Sequence, residues 1–64
     1  MEHDDVRELF EELLKAEQTA LEIYVKVLNQ VKNEKIKKII KPIAEDESVH
    51  ANNAREILRI LEEG

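Results

Sequence analysis

Cysteine is absent from this 64-residue chain, which removes disulfides, zinc–thiolate sites and thiol catalysis together. Glycine and proline occur once each, at Gly64 and Pro42, and the only aromatics are Phe10 and Tyr24. Such a composition favours helices and leaves little from which to build strands. No apolar run approaches the roughly 18 residues that a membrane span needs. The opening Glu2-His3-Asp4-Asp5 has neither a basic start nor an apolar signal core. A soluble, cytoplasmic protein with no membrane partner is expected. A single domain of residues 1–64 buries a small share of its surface, and folds below about 70 residues usually lean on disulfides, a metal or self-association. With disulfides excluded, the other two supports remain.

Charge is abundant and unevenly placed. The net charge is -5, yet residues 25–41 carry six lysines and one acid. Residues 1–24 carry eight acids and two bases, and residues 42–64 six acids and two arginines. A basic middle between acidic ends reads first as solvated helix faces. Nucleic acid is not expected as a partner, because an acidic chain with almost no aromatic side chains offers few stacking platforms.

The apolar pattern describes two helices. Positions 6, 10, 13, 17, 20, 24, 27 and 31 alternate steps of four and three, and Leu9, Leu14, Leu21 and Leu28 widen the stripe. A second seam of the same kind runs 36, 40, 43, 47, 50, 54, 57 and 61. The spacing predicts helix one over about 4–31, a turn over about 32–34 and helix two over about 35–62. Asp4 or Asp5 could cap the first helix, and Asn33 is the natural cap of the second. Glu11 with Lys15 and Glu22 with Lys26 are expected as four-residue surface pairs. So short a connection makes the helices antiparallel neighbours. Pro42 forfeits a hydrogen bond to the Lys38 carbonyl, so a kink or bulge is expected near 38–42, with two short helices as the alternative.

Three seam positions are polar: Glu17, Glu47 and His50. An ionised carboxylate is seldom buried without a partner, because desolvating it costs several kcal/mol. Glu17 lies sixteen residues before Asn33, Glu47 fourteen after it and His50 seventeen after it. At about 1.5 Å rise per residue, folding the hairpin brings all three to one level. Glu47 and His50, three apart, project from one face. Carboxylates can bridge two cations while imidazole supplies a neutral donor, a set that suits iron or manganese better than structural zinc. One chain supplies too few ligands for two metals, whereas a symmetric homodimer supplies four glutamates and two histidines. Two hairpins packed antiparallel would bring their polar layers together and set each basic turn beside the partner's acidic ends.

The segments Glu17-Gln18-Thr19-Ala20-Leu21-Glu22-Ile23-Tyr24 and Ala44-Glu45-Asp46-Glu47-Ser48-Val49-His50-Ala51 resemble the first helix pair of rubrerythrins and related ferritin-like diiron proteins. The resemblance covers nearly the whole chain but one half of the family's usual bundle. It implies an all-α fold, a two-helix hairpin dimerising into a ferritin-like four-helix bundle. It further implies Glu17 and His50 as terminal ligands and Glu47 as a bridging ligand of two iron ions per dimer, with manganese possible. Asp46 matches a residue that hydrogen-bonds the histidine of the opposite pair. Tyr24 matches a tyrosine that hydrogen-bonds a ligand carboxylate. His3, Glu22 and Glu45 read as surface residues. The cysteine-ligated iron that delivers electrons in rubrerythrins has no counterpart among these residues. The implied function is oxidation of ferrous iron, or reduction of peroxide or O2, at a site shared between two chains or within a higher homo-oligomer. The alternative is a non-catalytic dimerisation module whose polar layer only fixes register.

Overall fold

The computed structural model describes residues 2–63, with side chains from Asp4 onward, so the surface position expected for His3 lies outside the described residues. Two α-helices make up the fold, α1 (Glu2–Gln30) and α2 (Glu34–Glu63), packed as an antiparallel hairpin. Among the described residues there is no strand. No helix is long and apolar enough to cross a membrane. Helix α1 begins before Asp4 and Asp5, so neither aspartate caps it. Both lie within the first turn, where a carboxylate still favours the positive end of the helix dipole.

Asn33 does cap α2. Its Oδ1 accepts hydrogen bonds from the backbone N–H groups of Lys35 at 2.9 Å and Ile36 at 3.1 Å. Its carbonyl accepts the first helical bond, from Lys37, at 3.1 Å. The side chain thus satisfies two of the amide groups that a helix start otherwise leaves unpaired. Replacing Asn33 with alanine should cost about 1 kcal/mol of stability per chain, read as a lower urea midpoint at unchanged slope.

Helix α2 passes through Pro42 without a break, so the alternative of two short helices is not what forms. Pro42 and Lys38 are both exposed. Water can therefore take the carbonyl that proline leaves without its donor. The surface pairs differ from expectation as well. Among the described residues Lys37 meets Glu34 at 3.7 Å, and Arg59 bridges Glu56 and Glu63. The Arg59 guanidinium, mainly through its hydrogen bond, holds the Glu56 carboxyl below the usual carboxylate range. Glu11–Lys15 and Glu22–Lys26 do not form, in keeping with how little an exposed pair gains against side-chain entropy.

The interior of the hairpin is thin. Ala44, Ala51 and Ala54 are its buried residues, all on α2. Small side chains there let the helices approach, and Leu14, Leu21, Leu28, Ile40, Leu58 and Leu61 flank the contact half-buried. The contact line on α2 follows 37, 40, 44, 47, 51, 54, 58 and 61. It shares alternate positions with the expected seam but replaces 36, 43, 50 and 57 by their neighbours. A seam that faces the middle of a four-helix arrangement has two flanks, and a hairpin alone covers one. Ile36, Ile43 and His50 consequently stand exposed. The Cα radius of gyration is 14.8 Å, against about 11 Å for a globular chain of this length. The molecule is a rod of 49 × 14 × 12 Å with much of its apolar surface outside.

Candidate metal centre

Midway along the rod the three polar seam residues meet. Glu17 reaches across from α1, and Glu47 and His50 project one turn apart from α2. Each offers a donor atom, and these atoms lie within 4.8 Å of one another. Among the described residues no other such group of histidine and acidic side chains occurs. The Glu17 side chain is only 15 % exposed, whereas that of His50 is 56 % exposed. Glu17 Oε1 and His50 Nδ1 stand 3.9 Å apart. That is too far for a hydrogen bond. It does match the roughly 3–4 Å between two donors that each sit about 2.1 Å from one cation.

The other oxygen of Glu17 carries the sharper message. Glu17 Oε2 is buried and has no hydrogen-bond partner. A buried carboxylate oxygen left unsatisfied costs free energy in proportion to its desolvation. Something must offset that cost, and a divalent cation bound by this oxygen would. The donor set of two carboxylates and one imidazole fits iron or manganese.

Beside these residues lies an open cavity of about 160 Å³ lined by Phe10, Leu13 and Ile57 around Glu17, His50 and Asn53. Asn53 was not singled out by spacing or resemblance. The signal was its amide three residues after His50, among Ile43, Ile57 and Ile60, on a line that is otherwise largely aliphatic. Tyr24 lies half-buried on the same line of α1 as Glu17, but its hydroxyl makes no hydrogen bond among the described residues. Asp46 is exposed, one turn from His50 on the side of the hairpin that α1 does not cover. The hairpin thus gathers Glu17, Glu47 and His50 and leaves Tyr24 and Asp46 apart from them. Glu22 and Glu45 are exposed surface residues.

Comparison with known families gives one match. The sequence model for rubrerythrin covers residues 8–64. The chain belongs to the rubrerythrin family. That places it among ferritin-like proteins of the diiron type, and iron binding is the family-level expectation for the Glu17, Glu47 and His50 group. Neither the curated proteins nor the solved structures give a match. In this rubrerythrin-family chain the three donors come from both helices of the hairpin, Glu17 from α1 and Glu47 and His50 from α2.

Proposed function

We propose that two copies of the chain form a ferritin-like four-helix bundle with two metal ions, iron before manganese, between them. There the protein oxidises ferrous iron or reduces peroxide or O2. The observation that carries this reading is the convergence of Glu17, Glu47 and His50 around a buried, unpartnered carboxylate oxygen.

Each chain's residues have separable tasks. Glu17 presents a largely buried carboxylate from α1 and would bind at one end of the site. Glu47, within reach of both Glu17 and His50, would be the carboxylate that bridges, as the family resemblance implies. His50 supplies a neutral nitrogen, and the second hairpin would cover an imidazole that one chain leaves in water. Two chains bring four carboxylates, whose charge two divalent ions would neutralise, so the layer becomes compatible with an apolar interior. Asp46, one turn from His50, is positioned to accept a hydrogen bond from the partner's His50, fixing the ring's tautomer and orientation. Tyr24 would donate to a ligand carboxylate once the second copy packs against its line. Bound metal supplies the electrons for the redox step, while the protein sets position and electrostatics.

The test is an anaerobic ferrous titration of metal-free protein, followed by calorimetry. Saturation at one iron per chain is expected, with His50→Ala abolishing it. A stable helical dimer that takes up no iron would instead support the non-catalytic dimerisation module, with the polar layer serving only register.

A further inference from the structure

Asn52 and Asn53 are both exposed on α2, yet only one of them is spoken for. Asn52 Oδ1 accepts a hydrogen bond from the Arg55 guanidinium at 2.9 Å, an ordinary surface pair. Asn53 lines the cavity beside Glu17 and His50, and among the described residues its amide makes no hydrogen bond. The rest of that wall, Phe10, Leu13, Ala54 and Ile57, has no side-chain N–H or O–H. Apart from the His50 ring, Asn53 therefore brings the only side-chain donor to the cavity.

The hairpin aims this donor at Glu17. Glu17 lies sixteen residues before Asn33 and Asn53 twenty after it, so their backbones differ in height by four residues, about 6 Å. The lean of helical side chains works to close that gap. A side chain on an α-helix tilts toward its own helix's N-terminus. In an antiparallel hairpin Glu17 on α1 thus leans away from the turn, while Asn53 on α2 leans toward it. Their tips are brought toward one level. His50, on the turn side of that level, also leans toward the turn, which leaves the far side of the Glu17 carboxylate to Asn53.

The carboxylate has two oxygens with separate needs. Oε1 stands 3.9 Å from His50 Nδ1, a spacing that suits two donors on one cation. Oε2 is buried without a hydrogen-bond partner. A cation held between Oε1 and His50 Nδ1 neutralises the group but gives Oε2 no N–H, and buried polar atoms are seldom left bare. We infer that Asn53 is a positioning residue of the metal site, its side-chain amide donating to Glu17 Oε2 while Oε1 faces the metal. This role rests on the proposed metal centre. Forming the contact takes rotation of an exposed side chain, a picosecond-to-nanosecond motion. A neutral donor suits the place, because a lysine or arginine would repel the cation. A hydrogen bond to a ligand carboxylate fixes its orientation and strengthens its hold on the metal.

Cobalt(II) is the probe, because it binds a given site more tightly than manganese(II) and keeps weakened variants measurable. The natural chain should take up one cobalt per chain. Asn53→Leu, which keeps the size and removes the donor, should bind cobalt about 10–100-fold more weakly. Asn53→Gln keeps the donor and has the open cavity to extend into, so its affinity should stay close to that of the natural chain. In a Glu17→Ala background the acceptor is gone, and Asn53→Leu should there cost nothing further. A merely structural role would not show that dependence. Unchanged binding in Asn53→Leu overturns the inference, as does a loss equally large with and without Glu17, or one as large in Asn53→Gln. A natural chain that takes up no cobalt defeats the proposed function and this role with it. Full uptake that is indifferent to Asn53 defeats this role alone.

Discussion

Glu17→Ala should lower the rate of ferrous oxidation by on the order of a hundredfold or more, since even residues that merely hydrogen-bond a ligand change metal affinity by about 10–100-fold. Among the described residues Glu17 is the only donor that α1 contributes to the group, so its loss leaves Glu47 and His50, three residues apart on one helix, to hold a cation from one side. A companion substitution gives this prediction a second sign. In metal-free protein the Oε2 atom of Glu17 is buried and unpartnered, so Glu17→Leu, which keeps the volume and removes the carboxylate, should stabilise the fold by about 1–2 kcal/mol. Loss of oxidation with gain of metal-free stability is the signature of a residue kept for a ligand. Stoichiometric oxidation surviving in Glu17→Ala would remove Glu17 from the site. Loss of metal-free stability in Glu17→Leu would mean that the carboxylate is serving the packing.

The candidate site was more legible than the packing, for a physical reason. A polar residue at a seam position is improbable, and the level of each residue follows from counting along rigid helices to a turn that Asn33 marks. Two helices joined by three residues leave almost no freedom in that count, so Glu17, Glu47 and His50 could be brought together on paper. Which flank of the seam the hairpin covers was not legible. On α1 both candidates are aliphatic at three of the turns, as Leu13 and Leu14, Ala20 and Leu21, and Val27 and Leu28 show. The decision falls to size on α2. Ala44, Ala51 and Ala54 go inside because they let the backbones close, and bulkier Ile36 and Ile43 are left out. That same decision leaves His50 exposed while its neighbour Ala51 is buried. The surface pairs were illegible for the opposite reason: Glu11, Lys15, Glu22 and Lys26 have too little at stake to be held in one geometry.

These errors of flank and surface bear on function. Had the hairpin covered the 36, 43, 50 flank, His50 would already be enclosed by one chain, and nothing would remain for a second to complete. Instead the donor from α1 is mostly buried and the imidazole from α2 is mostly open. The aliphatic residues left outside run along the same side as that imidazole. In the proposed two-metal site, incomplete ligation and incomplete burial share one face, and a single association would remedy both. Under that reading Asp46 and Tyr24, which make no hydrogen bond to the site within one chain, acquire partners by the same event.

Metal should accordingly act on the fold as strongly as any single side chain. Manganese(II), which tolerates air, serves as the probe. A ligand that binds the native state alone stabilises it by about 2.7 kcal/mol when present at 100 times its dissociation constant. The two sites of the proposed dimer would give on the order of 5 kcal/mol, which for a folding unit of that size moves the melting temperature by on the order of 20 °C. Chelated protein should melt lower by that amount, recover on addition of manganese, and lose the response in His50→Ala. The direction follows from electrostatics: in the proposed dimer four carboxylates in one layer would repel and be poorly solvated without a cation, and would become mutual ligands with one. The unfolded chain holds the same residues far apart and binds metal weakly, so nearly the whole binding free energy appears as stability. A melting temperature indifferent to both chelator and manganese would mean that the layer is satisfied without metal. The unpartnered oxygen of Glu17 would then have to find its hydrogen bond across the twofold, as a register device between two copies of the chain.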